Sequence, residues 1–211
     1  MAKTDNLSDF LTDVANSIRT KTGTTEQINA QDFSDKILSI QTGGSGTTLK
    51  NLLDATQSCY NLFYNYQGTS VDNIIQYSDT ENVTTMEYMF DGCGALTTIP
   101  LLDTSKVTNM SYMFNYCTSL TTVPALDVSN VTDMDSMFNG CTSLKSILMT
   151  NIGANLDISA SKWFAREDLL VILNNLKTVT STKVLKMGAT NLAKLTDEDK
   201  LIATNKGWTL A

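Results

Sequence analysis

The chain has 211 residues, a net charge of −7 and no histidine. An acidic surface disfavours nucleic acid and anionic membranes as partners, and without histidine no Ser-His-Asp or Cys-His catalytic pair can form. No apolar run reaches the roughly 18 residues that a bilayer-spanning helix needs.

In chain order, residues 5–20 place Leu7, Phe10, Leu11, Val14 and Ile18 on one helical face, and Gly23 follows as a stop. Charges throughout this segment leave no apolar signal-peptide core, so the expectation is a chain folded in a cytosol with its four cysteines as thiols. A second helix is expected over residues 30–40, with Phe33, Ile37 and Ile40 on one side. Residues 1–41 therefore read as a helical hairpin, too small to be stable without a partner or self-association. Residues 42–48, within "QTGGSGTT", read as a flexible linker.

Self-similarity dominates the middle. Units starting at Val83, Val107 and Val131 align without gaps at a step of 24 residues. Met86, Met110 and Met134 share an apolar column, as do Met89, Met113 and Met137. Phe90, Phe114 and Phe138 form the next, followed by Cys93, Cys117 and Cys141. Leu96, Leu120 and Leu144 form another, and Ile99, Val123 and Ile147 close each unit. Apolar types hold in the columns while the residues between them vary, which predicts one buried stripe per winding. Residues 83–150 thus form three repeats, and residues 49–82 a degenerate unit acting as a cap. In that unit "FYNY" at Phe63–Tyr66 echoes "MFNY" at Met113–Tyr116, and "IIQYSDTENV" echoes "TIPLLDTSKV".

Within a unit, V-T-x-M-x-x-M-F predicts a short helical turn. Asn or Asp and then Gly (or Tyr116) stop it by tolerating a left-handed backbone. L-T-T-I or L-T-T-V predicts a short β-strand, ended in two units by proline. Such strands would stack in parallel at roughly 4.8 Å. The fold class expected is α/β, a leucine-rich-repeat-like solenoid of 24-residue units.

Residues 151–211 predict an α/β cap. A helix is expected over 165–176, facing inward with Leu169, Leu170, Leu173 and Leu176, then a strand over 182–188. A capped helix follows within 195–207, with Thr196 at its N-cap and Gly207 just past its end. "WTLA" at 208–211 reads as a final strand.

The chemistry-bearing residues favour structure over catalysis. Cys93, Cys117 and Cys141 share one column, so they read as a buried ladder of small hydrophobes rather than as metal ligands or disulfides. With the Phe and Leu columns they make up the expected repeat core. Cys59 stands alone and reads as packing. Asp79, Asp103 and Asp127 share a turn position; one acid per winding supplies too few oxygens for calcium, so Asx turns or capping are expected. No catalytic, cofactor or metal site is expected. Tyr88 and Tyr112 share a column, with Tyr64, Tyr66 and Tyr116 nearby in sequence. Exposed tyrosines suit surface recognition, and packing of the repeats or the cap is their alternative use.

"VTNMSYMFNYCTSLTTVP" resembles the BspA-like leucine-rich repeat family, with Met-Phe where many members have Ala-Phe. "LTDVANSIRTKTGTTEQINAQDFSDKILSI" resembles the N-terminal segment of tail, baseplate and fibre-type proteins of phages of Gram-positive bacteria. "MGATNLAKLTDEDKLIATNKGWTLA" resembles the ending of repeat proteins from the same phages. These resemblances imply a virion protein assembled in the host bacterial cytoplasm. Residues 1–41 would contact other virion proteins, and the repeats would meet a host cell-surface glycan or protein. Homo-oligomerisation, as a trimer, follows from the fibre-type analogy. The alternatives are a head or baseplate decoration protein without a ligand, and a bacterial surface adhesin.

Overall fold

The computed structural model describes Leu53, residues 57–72 and residues 75–211. The expected hairpin of residues 1–41 and linker of residues 42–48 lie outside the described residues. The described chain is mixed α/β, with short parallel strands, few helices and no closed barrel. The strands are β1 (Thr122–Val123), β2 (Ser146–Ile147), β3 (Leu156–Asp157), β4 (Lys183–Lys186) and β5 (Trp208–Leu210). The α-helices are α1 (Arg166–Asn174), α2 (Ala189–Leu192) and α3 (Asp197–Thr204). β1 pairs with β2, and β3–β4–β5 form a second sheet; every pairing is parallel.

Between residues 57 and 150 the ladder is carried mostly by single bridges. Ser58, Thr85, Asn109 and Asp133 bridge one another in that order, all in parallel. Around them the backbone alternates its bonds. The N–H groups of Met86, Tyr88, Phe90 and Gly92 donate to the carbonyls of Asn109, Ser111, Met113 and Asn115, at 2.8–3.1 Å. Those of Met89, Asp91 and Cys93 donate back within their own unit to Met86, Tyr88 and Phe90, at 3.1–3.2 Å. The same alternation recurs one unit later.

This corrects the expected helical turn. A helix would spend nearly every N–H locally; here about half of them cross to the next unit, so the segment is a chain of tight turns. Turns of type II place a positive φ at their third residue. Tyr88, Tyr112 and Ser136 adopt it in one column, at 55°, 57° and 52°; Gly92, Tyr116 and Gly140 adopt it in another, at 74°, 55° and 75°. The left-handed stop read from the sequence therefore sits where expected, although no helix precedes it. Of the expected L-T-T-I/V strands, only Thr122–Val123 and Ser146–Ile147 are paired as strands. Thr97, in the first repeat, reaches Thr69 O through both its N–H and its hydroxyl, each at 3.1 Å.

Side chains stack in register with this backbone. The Phe90, Phe114 and Phe138 rings lie 5.6 Å apart and parallel to within 3°. Phe63 extends the column, 5.3 Å from Phe90. The N-terminal unit is therefore offset by one residue from the "FYNY"/"MFNY" alignment: Phe63, not Tyr64, occupies the Phe column. The chain from Phe63 to Thr80 is three residues longer than that from Phe90 to Thr104, and the register is regained where the Thr80 and Thr104 carbonyls accept from the Val83 and Val107 N–H groups, both at 3.0 Å.

The Leu column follows the Cys column through one further turn. The N–H groups of Leu96, Leu120 and Leu144 donate to the carbonyls of Cys93, Cys117 and Cys141, at 3.1, 3.1 and 3.4 Å. That turn brings the chain round to the strand side and points each leucine inward. Leu96 and Leu120 are fully buried and Leu144 is 1% exposed; the Phe and Cys columns are buried to the same degree.

The C-terminal block continues the same parallel step. Ile152 bridges Leu176, and Leu156 aligns with Leu185, which aligns with Leu210. One hydrophobic cluster runs from Leu53 to Trp208. α1 faces it with Leu169, Ile172 and Leu173, and α3 begins at the expected Thr196 capping box and ends before Gly207, whose φ is 87°. The expected strands appear as β4 and β5. α2, four residues long, was not expected from the sequence.

Candidate functional site

The Cys column is a hydrogen-bonded ladder. The thiols of Cys93, Cys117 and Cys141 donate to the carbonyls of Phe63, Phe90 and Phe114, at 2.9, 3.1 and 3.0 Å. Burial pushes the Cys141 thiol up to about 12. The Cys93 thiol beside it, and then burial, push Cys117 well above its ordinary value, and burial does the same for Cys59. Thiols held in this way are poor nucleophiles. Leu96, Leu120 and Leu144 lie behind them in the same dry interior and line no part of the surface. The Phe, Cys and Leu columns are thus scaffold, and a ligand would touch none of them. Among the described residues, no group of three or more His, Cys, Asp or Glu is placed to hold a metal ion.

The aspartate column makes local turns. The Asp103 and Asp127 carboxylates accept from the Ser105 and Ser129 N–H groups, both at 3.0 Å, and Asp79 accepts from Gln76 N–H at 2.8 Å. The Asn151 amide, outweighing partial burial, holds Asp127 below the usual carboxylate range. A polar ladder not anticipated from the sequence lies in the "VT" threonines. Thr108 and Thr132 donate both N–H and hydroxyl to the carbonyls of Thr84 and Thr108. Asn139, Asn115 and Asp91 form another, with two side-chain bonds of 2.8 Å. Repetition of Thr and Asn at a step of 24 was the signal that could have revealed both.

Of the tyrosines expected at a recognition surface, Tyr88 and Tyr112 come together: their rings stack at 4.7 Å and 8°. Tyr60 joins them edge-on, 5.7 Å from Tyr88. Partial burial in this row, followed by Tyr112 and Glu87, raises the Tyr88 phenol above its ordinary value. Tyr64 and Tyr116 are 51% and 58% exposed, and neither stacks on the row. Tyr66 is a correction. It is 4% exposed, at the position equivalent to Cys93, because of the one-residue offset, and its hydroxyl donates to Ser70 O at 3.1 Å. It caps the core and offers nothing to a ligand.

One step beyond Tyr112 the column holds Ser136, and a groove of about 250 Å³ opens there. Asp133, Asp135 and Ser136 line one side; Asn155, Asp157 and Lys183 line the other. Lys186 closes its rim through an ion pair of 3.0 Å with Asp157. Burial pushes the Asp157 carboxyl up, but the Ser159 hydroxyl and N–H together with Lys186 more than offset it and hold the carboxyl below the usual carboxylate range. The site is thus an aromatic row that ends at Tyr112, one step from Ser136, beside a charged groove that no tyrosine lines.

No curated protein and no solved structure matches the chain significantly. Residues 57–168 match the family model described as "Mycoplasma protein of unknown function, DUF285", which covers more than half of the chain. The chain belongs to this Mycoplasma and BspA-like repeat family.

Proposed function

We propose that the chain is a non-enzymatic virion protein of a phage infecting Gram-positive bacteria, whose leucine-rich-repeat-like solenoid is displayed to bind a glycan or protein of the host surface. The Tyr60–Tyr88–Tyr112 row carries this reading: three aromatic rings are ranked on a backbone that leaves them at the surface. Large, rigid, amphipathic side chains give contact area at low entropic cost. The stacked Phe rings and the 24-residue bonding step support a solenoid that holds the row rigid. The resemblance of both chain ends to phage proteins supports the virion setting.

In this reading residues 1–41 attach the protein to other virion proteins and assemble it as a homo-oligomer, a trimer by analogy with fibres. The glycine-rich linker lets the repeats project, and many copies on one particle turn weak contacts into avidity. The test uses labelled full-length protein on cells of a Gram-positive host. Saturable binding that falls in a double variant, Tyr88→Ala with Tyr112→Ala, is expected. Absence of saturable binding would overturn the display role and leave a decoration protein. Particles that incorporate a chain lacking residues 1–41 would overturn the anchoring role.

A further inference from the structure

We infer that the break in the tyrosine column at Ser136 is a slot for one pyranose ring of a neutral hexose glycan, stacked on Tyr112. This inference rests on the surface-binding reading and narrows it to a ligand class. The rings of Tyr88 and Tyr112 are 4.7 Å apart, one backbone step. Tyr112 is tied to the next step by its own N–H, which donates to Asp135 O at 2.9 Å. At that step the column residue is Ser136, half-buried, and the groove opens beside it. A pyranose is a puckered chair, but it carries an apolar C–H face that packs on an aromatic ring, and the small Ser136 side chain leaves free the place that a third tyrosine would take.

The polar groups fit sugar hydroxyls. The exposed Asp133 and Asp135 carboxylates accept from hydroxyl donors, and charge-assisted bonds of this kind are the stronger ones. One Asp133 oxygen already accepts the Asp135 N–H at 2.9 Å, which fixes that carboxylate in place. Lys183 on the opposite wall supplies a donor. With three carboxylates facing two lysines in the groove, and a net charge of −7, a polyanionic glycan is repelled. A neutral hexose is not. Among the described residues no aromatic side chain lines the groove itself; the face of Tyr112 that Tyr88 leaves uncovered lies one step from Ser136, beside it. A pyranose over Ser136 would set its apolar C–H face on Tyr112 and turn its rim hydroxyls to the polar groups of the groove.

The backbone itself offers a clean test. Ser136 has φ 52°, and the column carries tyrosine at 55° and 57°. Ser136→Tyr should therefore extend the stack and fill the slot without unfolding the chain. The full-length protein, Ser136→Tyr, Tyr112→Ala and the control Leu201→Ala on α3 are titrated on immobilised gluco-, galacto- and manno-oligosaccharides and on Gram-positive cells. The expected result is binding by wild type and Leu201→Ala to at least one oligosaccharide. Loss of about tenfold or more is expected in both slot variants, with Ser136→Tyr melting no lower than wild type. Oligosaccharide binding unchanged in Ser136→Tyr overturns the slot and leaves surface binding standing. Cell binding that protease treatment of the cells abolishes, with no oligosaccharide bound, overturns the glycan and favours a protein receptor. Binding to neither overturns both.

Discussion

The repeated stretch, residues 83–150, and the C-terminal block, residues 151–211, share one parallel step and one core, yet they are held in different ways. In the repeats each important side chain has a copy 24 residues away, and the copies touch: Phe on Phe, thiol to Phe carbonyl, Thr to Thr, Asn to Asn. In the block the contacts are single. Arg166 grips Asp199 through two bonds of 2.8 and 2.6 Å, Trp208 donates to Lys177 O at 2.8 Å, and the buried Asn191 amide bonds to Ser161 and Met187 carbonyls. Helices α1 and α3 replace the chain of turns. Periodic bonding lets the stack continue from unit to unit, whereas the single contacts of the block are not repeated from one step to the next.

The two regions should fail at opposite ends of the pH scale, and this is the largest expected effect. All four cysteines precede residue 151. The raised thiols of Cys59, Cys117 and Cys141 favour the protonated form in the folded chain, so this stability is complete below the unfolded value of about 8.5. It is lost as pH rises toward the folded value, about 12 for Cys141. Cys59, Cys117 and Cys141 should each cost about 1.4 kcal/mol per pH unit within that window. Urea melts at pH 7 and pH 10 should show a steep drop, shallower in Cys117→Ala. An equal drop in that variant would place the alkaline weakness elsewhere.

Next in size, Phe114→Ala should cost about 3–5 kcal/mol in a urea melt, because its ring is fully buried and stacked on both sides. A cost below about 1 kcal/mol would mean that the column is not close-packed. Gly140→Ala should cost about 1–2 kcal/mol, since its φ is 75° and an added Cβ would lie 2.8 Å from the Tyr116 ring. Tyr116→Gly removes strain at the equivalent position and should cost less than Gly140→Ala; the reverse order would contradict the shared turn geometry.

The smallest effect belongs to the C-terminal block. Arg166, with the Thr196 N–H, holds the Asp199 carboxyl below the usual carboxylate range. Stability from this pair is present above the unfolded value of about 3.9 and is lost as pH falls through the lower folded value. Arg166→Leu should therefore lower the melting temperature by a few degrees at pH 6 and by less at pH 3. An equal loss at both values would assign the effect to packing of the Arg166 stem.

How much of this could be read beforehand varied with the kind of signal. The Phe, Cys and Leu columns were legible because burial restricts those positions to apolar types; Leu120 and Leu144 repeat Leu96 for that reason alone. Thr196 and Gly207 were legible because helix ends demand specific chemistry. The turns of the repeats were misread because Val83, Met86, Met89, Phe90 and Cys93 are all buried at spacings of three and four, the same template an amphipathic helix produces. Periodicity reports which residues face inward, not where their N–H groups go. Tyr66 was misplaced because echoing "FYNY" with "MFNY" hides a one-residue shift, which only the ring stack on Phe63 resolves. Of the tyrosine site, the shared column of Tyr88 and Tyr112 was legible; the groove beyond Ser136 was not, since residues 155–186 from outside the repeats build its far wall.

The claim beneath all of this is that equivalent residues of neighbouring units touch, one step at a time. Selective Phe labelling with ring-proton NOE measurements, assigned through single Phe→Leu variants, tests it directly. Strong NOEs between Phe90 and Phe114 and between Phe114 and Phe138, with none between Phe90 and Phe138, are the expected pattern. Missing neighbour NOEs, or a direct Phe90–Phe138 NOE, would contradict it.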